Sequence, residues 1–290
     1  MRKIGFIGIG MMGEPMVLNL QNAGFHVTAY NRTKAKLTHL QSQGVHTTDC
    51  LEQAVRGKEI VILMLSDDRA VAEMWAKEDG IATYVTPGTI CINMSTVSPD
   101  LTSQLAKQAE EKGIEWLDAP VSGSSNAAQS ANLVILVGGK KEVYEQSKEV
   151  FQALGKASYY FGAAASGAKA KLVVNLMMGM YMQGLAESLV LAQKAGLDRS
   201  TVLEMLGDAA VGAPFLQFKK ELLLDENYET MFALKHMYND FGLILEEARK
   251  NGSVLPATSA TNQAYIAAMN HGLGELDLSA IFAELMQQSK

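Results

Sequence analysis

Gly8-Ile9-Gly10-Met11-Met12-Gly13 stands between a β-rich apolar run at residues 4–7 and a stretch with helical spacing at residues 12–23. No other feature constrains the fold as much. A strand that turns this tightly into a helix predicts the first β-turn-α unit of a nucleotide-type sheet. The first glycine permits the tight turn, the second lets backbone approach a pyrophosphate, and the third lets the helix pack close to the strand. The first N–H groups of the helix and its dipole then favour an anion. A glycine-rich turn with no ligand is the bland alternative. The strand before it and the helix after it favour dinucleotide binding.

The first half of the chain repeats this texture. Further β-rich runs fall at residues 27–30, 60–65, 89–92, 116–117 and 133–137, with helical stretches such as 99–112 between them. Ile60-Val61-Ile62-Leu63-Met64-Leu65 is apolar on both faces, as a strand covered on both sides by helices must be. Alternating β and α units predict an α/β, Rossmann-like domain with a parallel, doubly wound sheet. After about Phe161 the strand texture stops. Residues 166–194 read as one long helix, with Gly167, Gly179 and Gly184 weakening it without ending it. Gly196 and Asp198 look like a helix stop and a new N-cap, and further helices are expected at 200–207, 213–224, 232–249, 257–270 and 279–288. A length of 290 residues suits two domains at roughly 150 residues each. We expect a dinucleotide-binding domain over residues 1–163. An all-α domain over 164–290 would begin with a long interdomain helix.

Twenty-five basic against 31 acidic residues leave a net charge of −6, which argues against nucleic acid or an anionic membrane as a partner. Residues 172–186 form an uncharged run, but it is shorter than the roughly 20 apolar residues of a spanning helix, and Asn175 and Gln183 interrupt it. Two cysteines, Cys50 and Cys91, make no disulfide framework and fit a reducing compartment, hence a cytoplasmic expectation. The five histidines have no metal-ligand spacing, so no metal is expected. A P-loop and a G-x-S-x-G elbow are both missing.

An NAD site usually places an acidic residue at the end of the second strand, where it binds the ribose 2′-hydroxyl. Asn31-Arg32-Thr33 stands there instead. The guanidinium of Arg32 matches phosphate oxygens, Thr33 adds a hydroxyl, and Lys36 lends charge from the next helix. This predicts NADP(H) rather than NAD. A solvated loop arginine is the competing explanation.

Two places could carry chemistry. Ser122 and the amides around Gly123 follow a short strand and could hold a substrate carboxylate, although an ordinary Ser-Gly turn has the same letters. Lys171 lies near the start of the long helix, with Asn175 on the same face at i+4. Burial beside Leu172-Val173-Val174 would lower the lysine pKa and make it a proton donor or acceptor near neutrality. A snorkelling lysine is the alternative. Asp240 could help orient this site; by itself it reads as a solvated acid.

In order along the chain, the glycine turn with Glu14-Pro15-Met16, Met94-Ser95-Thr96-Val97-Ser98-Pro99, residues 118–123, Gly167-Ala168-Lys169-Ala170-Lys171-Leu172-Val173-Val174-Asn175, and Phe232-Ala233-Leu234-Lys235-His236 with Asp240 together resemble the β-hydroxyacid dehydrogenase family. The resemblance spans essentially the whole chain. It implies that Lys171 is the catalytic acid/base, that Asn175 positions the substrate, and that Ser122, Gly123, Thr96, Phe232 and Asp240 bind it. It also implies a cofactor held by Gly8, Gly10, Met11, Met12, Gly13, Asn31, Arg32, Thr33, Lys36, Met64, Leu65 and Thr96. The motifs look most like those of NADPH-dependent glyoxylate and succinic semialdehyde reductases, with a small carboxylated carbonyl compound as substrate and a homodimer or homotetramer as assembly. The 6-phosphogluconate dehydrogenases fit less well, because they carry a histidine where Val174 stands. Two residues depart from the pattern: Ser124 replaces a second glycine, and Asn239 replaces a lysine before the late aspartate. Alternatives are a dehydrogenase of the 3-hydroxyisobutyrate or tartronate semialdehyde type, an imine reductase, and a non-catalytic NADP-binding scaffold.

Overall fold

A computed structural model describes residues 2–290. Internal contacts divide the chain into one unit ending at Lys171 and a second, Leu172–Lys290.

The first unit is built on nine strands: β1 (Lys3–Ile7), β2 (His26–Tyr30), β3 (His46–Thr48), β4 (Ile60–Leu63), β5 (Ile90–Asn93), β6 (Glu115–Asp118), β7 (Val121–Ser122), β8 (Leu133–Gly139) and β9 (Gly155–Gly162). Their order is β3-β2-β1-β4-β5-β6-β8-β7, with β9 also on β8. The doubly wound, two-faced sheet is as expected. Alternate residues of β4 enter separate cores: Ile60 and Ile62 join one, Val61 and Leu63 the other. That is why the run is apolar throughout.

The sheet is parallel from β3 to β6 only. β8 runs antiparallel to β6 and to β7, while β9 pairs with β8 in parallel. The expectation of an all-parallel sheet is corrected at this edge. β6 and β7 run in the same direction, and the link from β7 to β8, residues 123–132, is shorter than the dozen or so residues of a parallel crossover, so β8 returns alongside both in the opposite direction.

The second unit is helical around one core. The long helix runs Ser166–Lys194, with the bounds the sequence predicts. Its weak Gly179 has a packing reason, since a Cβ there would lie 2.5 Å from the Phe241 ring and 3.0 Å from Met237. The helix Arg199–Asp208 begins at Asp198, whose carboxylate accepts from the Thr201 N–H. The helix Leu234–Asn251 ends at Gly252, in the left-handed conformation at φ +75°. The expected start of that helix at residue 232 is two residues early, because the Phe232 N–H donates to the Asp277 carboxylate and Ala233 is extended and bridged to Asp277. Among the described residues, no helix is long and apolar enough to cross a membrane.

Candidate active site

The glycine turn leaves β1 at the carboxyl end of the sheet. Gly8 has φ +107°, and a Cβ on it would meet the Met64 carbonyl oxygen at 2.2 Å. A Cβ on Gly13 would meet the Gly8 carbonyl oxygen at 2.1 Å. Packing therefore demands both glycines. Gly10 differs: it is exposed, and a Cβ on it would touch nothing within 4 Å. Its bare backbone is free for a ligand to approach, and the helix Gly13–Asn22 that follows has no side-chain cap on its N-terminus. The turn thus fits a pyrophosphate.

Asn31 braces this turn. Its Oδ1 accepts from the Ile9 N–H at 3.2 Å, and its Nδ2 donates to the Thr33 carbonyl at 3.1 Å. Arg32, Thr33 and Lys36 are exposed. Lys34 is engaged with Asp49 at 2.8 Å, whereas Arg32 has no hydrogen bond or ion pair among the described residues. Its fork remains available at the strand end.

Met64 and Leu65 leave β4, and Thr96 follows β5; all three are half-buried. The two loops are fastened together. Leu65 N–H donates to Ser95 Oγ at 2.9 Å, and Ser95 N–H donates to Asn93 Oδ1 at 3.2 Å. One turn further on, Asp68 accepts from the Ser98 N–H at 2.8 Å and from the Ser98 hydroxyl. Ser98 also caps the helix Pro99–Glu111.

Ser122 ends β7, half-buried, and Gly123 has φ +141° with Ala127 and Leu133 only 2.9 Å from any added Cβ. Ser124 has a local purpose: its hydroxyl caps the short helix Ser125–Gln129. Asp118, at the end of β6, is 1% exposed and accepts from the N–H groups of Ala165 and Ala168, both at 2.9 Å. These groups open the long helix.

On that helix Lys171 is 8% exposed and Asn175 is 1% exposed. The lysine is therefore buried, not a snorkelling surface group. Asn175 Nδ2 donates to Asp240 Oδ2 at 2.6 Å, and Asp240 is itself buried. A solvated Asp240 is thereby excluded. Asn175 Oδ1 has no partner among the described residues, a cost that a buried acceptor in a native fold needs a reason to bear. Phe232, half-buried, lies in a segment fixed by Asp277. That carboxylate accepts from the Met231 and Phe232 N–H groups, from the Ser279 N–H and hydroxyl, and from the buried Lys219 ammonium at 2.8 Å.

Residues 3–162 match the family described as the NAD binding domain of 6-phosphogluconate dehydrogenase. Residues 165–285 match the NAD-binding family of NADP-dependent 3-hydroxyisobutyrate dehydrogenase. Glyoxylate/succinic semialdehyde reductase 1 of Arabidopsis thaliana is 36% identical over 279 residues, covering 96% of each chain. The chain belongs to the β-hydroxyacid dehydrogenase family. A second relative, 2-(hydroxymethyl)glutarate dehydrogenase of Eubacterium barkeri, is 34% identical across 96% of this chain and 93% of its own. The structure of 3-hydroxyisobutyrate dehydrogenase from Mycobacterium tuberculosis superposes with a TM-score of 0.87 at 27% identity, covering 98% and 99% of the two chains. This β-hydroxyacid dehydrogenase is thus an oxidoreductase with a nicotinamide-cofactor fold.

Several residues that fasten these segments carry no sequence signal of that role: Ser95, Asp68 and Ser98 at the loops, Asp118 at the helix start, and Lys219 with Asp277. Ser95, Ser98 and Asp118 lie inside motifs that the resemblance quotes, so a signal was present without a role. Lys219 and Asp277 had none.

Burial pushes the Asp118 carboxyl up to about 6, against the backbone N–H donors, which pull it down. An acid raised in the fold destabilises it when ionised. Stability from this group is therefore greatest below about pH 4 and declines as pH rises to about 6, by at most about 3 kcal/mol. Urea denaturation of wild type and Asp118→Asn between pH 4 and 7 should show the difference between their stabilities changing across that window. Parallel curves would contradict it.

Proposed function

We propose that the protein is an NADPH-dependent reductase of small aldehyde or keto acids, of the glyoxylate or succinic semialdehyde type. The observation that carries this is the buried Lys171, one turn before Asn175 on the same helix. A bound nicotinamide cofactor would supply the hydride. The turn at Gly8, Gly10 and Gly13, with Met11 and Met12, would hold its pyrophosphate, and the Met64–Leu65 and Thr96 loops its nicotinamide side. Lys171 protonates the developing alkoxide, and its charge stabilises that oxygen as it forms. Asn175 spends its open Oδ1 on the substrate, Asp240 fixes the Asn175 amide, and Ser122 with the Gly123 amide holds the carboxylate. Such positioning places the carbonyl for attack. Phe232 supplies an apolar wall. Glyoxylate/succinic semialdehyde reductase 1 supports this substrate class by its name and its 36% identity.

The available guanidinium of Arg32, with Thr33 and Lys36 beside it, supports NADPH over NADH. Titration should give tighter NADPH binding in the wild type. Arg32→Ala should lose roughly 10- to 100-fold of NADPH affinity, the range for hydrogen bonds to a charged group, with little change for NADH. Equal affinities in the wild type would sink the assignment.

The long helix also supports a homodimer or homotetramer. Val173, Met177 and Leu191 are 64%, 66% and 72% exposed, and Val173 and Leu191 lie about five turns apart on one face. An apolar stripe of this kind calls for cover by a second copy. Light scattering at micromolar concentration should show an oligomer, and a clean monomer would count against it. Cys50 and Cys91 are both free, in keeping with the cytoplasm.

A further inference from the structure

Asp118 takes no part in the steps above, yet it joins two distant segments. Its Oδ1 accepts from Ala165 and its Oδ2 from Ala168, 47 and 50 residues away. The space around the carboxylate is cleared of side chains. A Cβ on Gly138 would sit 2.7 Å from Oδ1 and 2.8 Å from Oδ2, and one on Gly167 would sit 2.9 Å from Oδ2. Ala165 holds φ +73°, a conformation that alanine rarely takes, and its N–H points to the carboxylate. A strained residue persists where its surroundings over-determine it. Ala168 lies three residues before Lys171, so the two share a helix face.

We infer that Asp118 is a positioning residue for Lys171, fixing the first turn of the long helix to the end of β6. The inference rests on Lys171 being the proton donor. A helix transmits a shift of its first turn to the next, and a misplacement near 1 Å can cost about 10²-fold in rate. Asp118→Ala removes both acceptors. Asp118→Asn keeps the volume and one acceptor, and turns an amide N–H₂ toward the other donor.

The test measures hydrogen exchange at the Ala165 and Ala168 amides, NADPH affinity, and single-turnover NADPH oxidation with the best acid substrate. In Asp118→Ala, exchange should rise and the hydride step should slow, each at least tenfold, with NADPH affinity unchanged. Asp118→Asn should lose only a few-fold, and it carries the test if the alanine variant does not fold. Raised exchange with a wild-type hydride rate would overturn the inference, leaving a purely structural cap. Unchanged exchange would overturn it too. A wild type that oxidises NADPH with no carbonyl acid would overturn the parent reading, and the exchange data would still show whether the anchor exists.

Discussion

Lys171→Ala should bind NADPH as the wild type does and lose about 10²–10⁴-fold in the single-turnover rate, the range of general acid catalysis. A loss above that range is expected if the ammonium also stabilises the alkoxide. Lys171→Arg keeps the charge but cannot release a proton, so it should rescue little. Asn175→Ala should be milder, because the donor stays in place while the substrate is held less well. Circular dichroism checks that each variant is folded. Near wild-type turnover in Lys171→Ala would mean that the proton comes from elsewhere.

The second large effect is on stability. Lys219 and Asp277 are 3% and 0% exposed, so removing one partner leaves a buried charge uncompensated. Lys219→Met should cost about 3–5 kcal/mol, read as a shift in the urea midpoint at unchanged slope. Replacing an isolated buried pair by two apolar residues can be neutral. Here it should not be, because Asp277 also serves the Met231, Phe232 and Ser279 N–H groups. Lys219→Met with Asp277→Leu should therefore stay destabilised, and the unpinned Phe232 should raise the substrate KM. A double variant as stable as the wild type would show that the backbone donors find other partners.

What the sequence revealed follows from how local each determinant is. β1, β2, β4 and β5 announce themselves through apolar runs next to a glycine turn or a helix. β3 is three residues of His46-Thr47-Thr48, β7 only two, and β9 alternates half-buried and exposed positions. None of these makes a run that composition can flag. The direction of β8 is invisible for another reason: Leu133-Val134-Ile135-Leu136-Val137 is equally apolar whichever way it points. The long helix was legible to its ends, since no proline or strong stop interrupts it.

The site divides in the same way. Gly8, Gly10 and Gly13 act through local backbone geometry, and Lys171 with Asn175 through helical spacing, so both are visible in the letters. Asp118, Ser95 and Asp277 act through partners 30 to 58 residues away, which only the folded chain brings near. Asp240 read as a solvated acid because its partner, Asn175, is 65 residues distant. Phe232 looked helical, but Asp277 takes the N–H groups of Met231 and Phe232 and starts the helix two residues later.

The most direct test of the account is a cofactor-oxidation panel with wild-type protein. NADPH and NADH are each offered glyoxylate, succinic semialdehyde, tartronate semialdehyde, methylmalonate semialdehyde and a cyclic imine. Steady NADPH consumption is expected with at least one of the carbonyl acids, with slower consumption of NADH and none with the imine. Turnover of the imine alone would assign the site to reductive amine chemistry, and no turnover of any compound would leave a cofactor-binding scaffold.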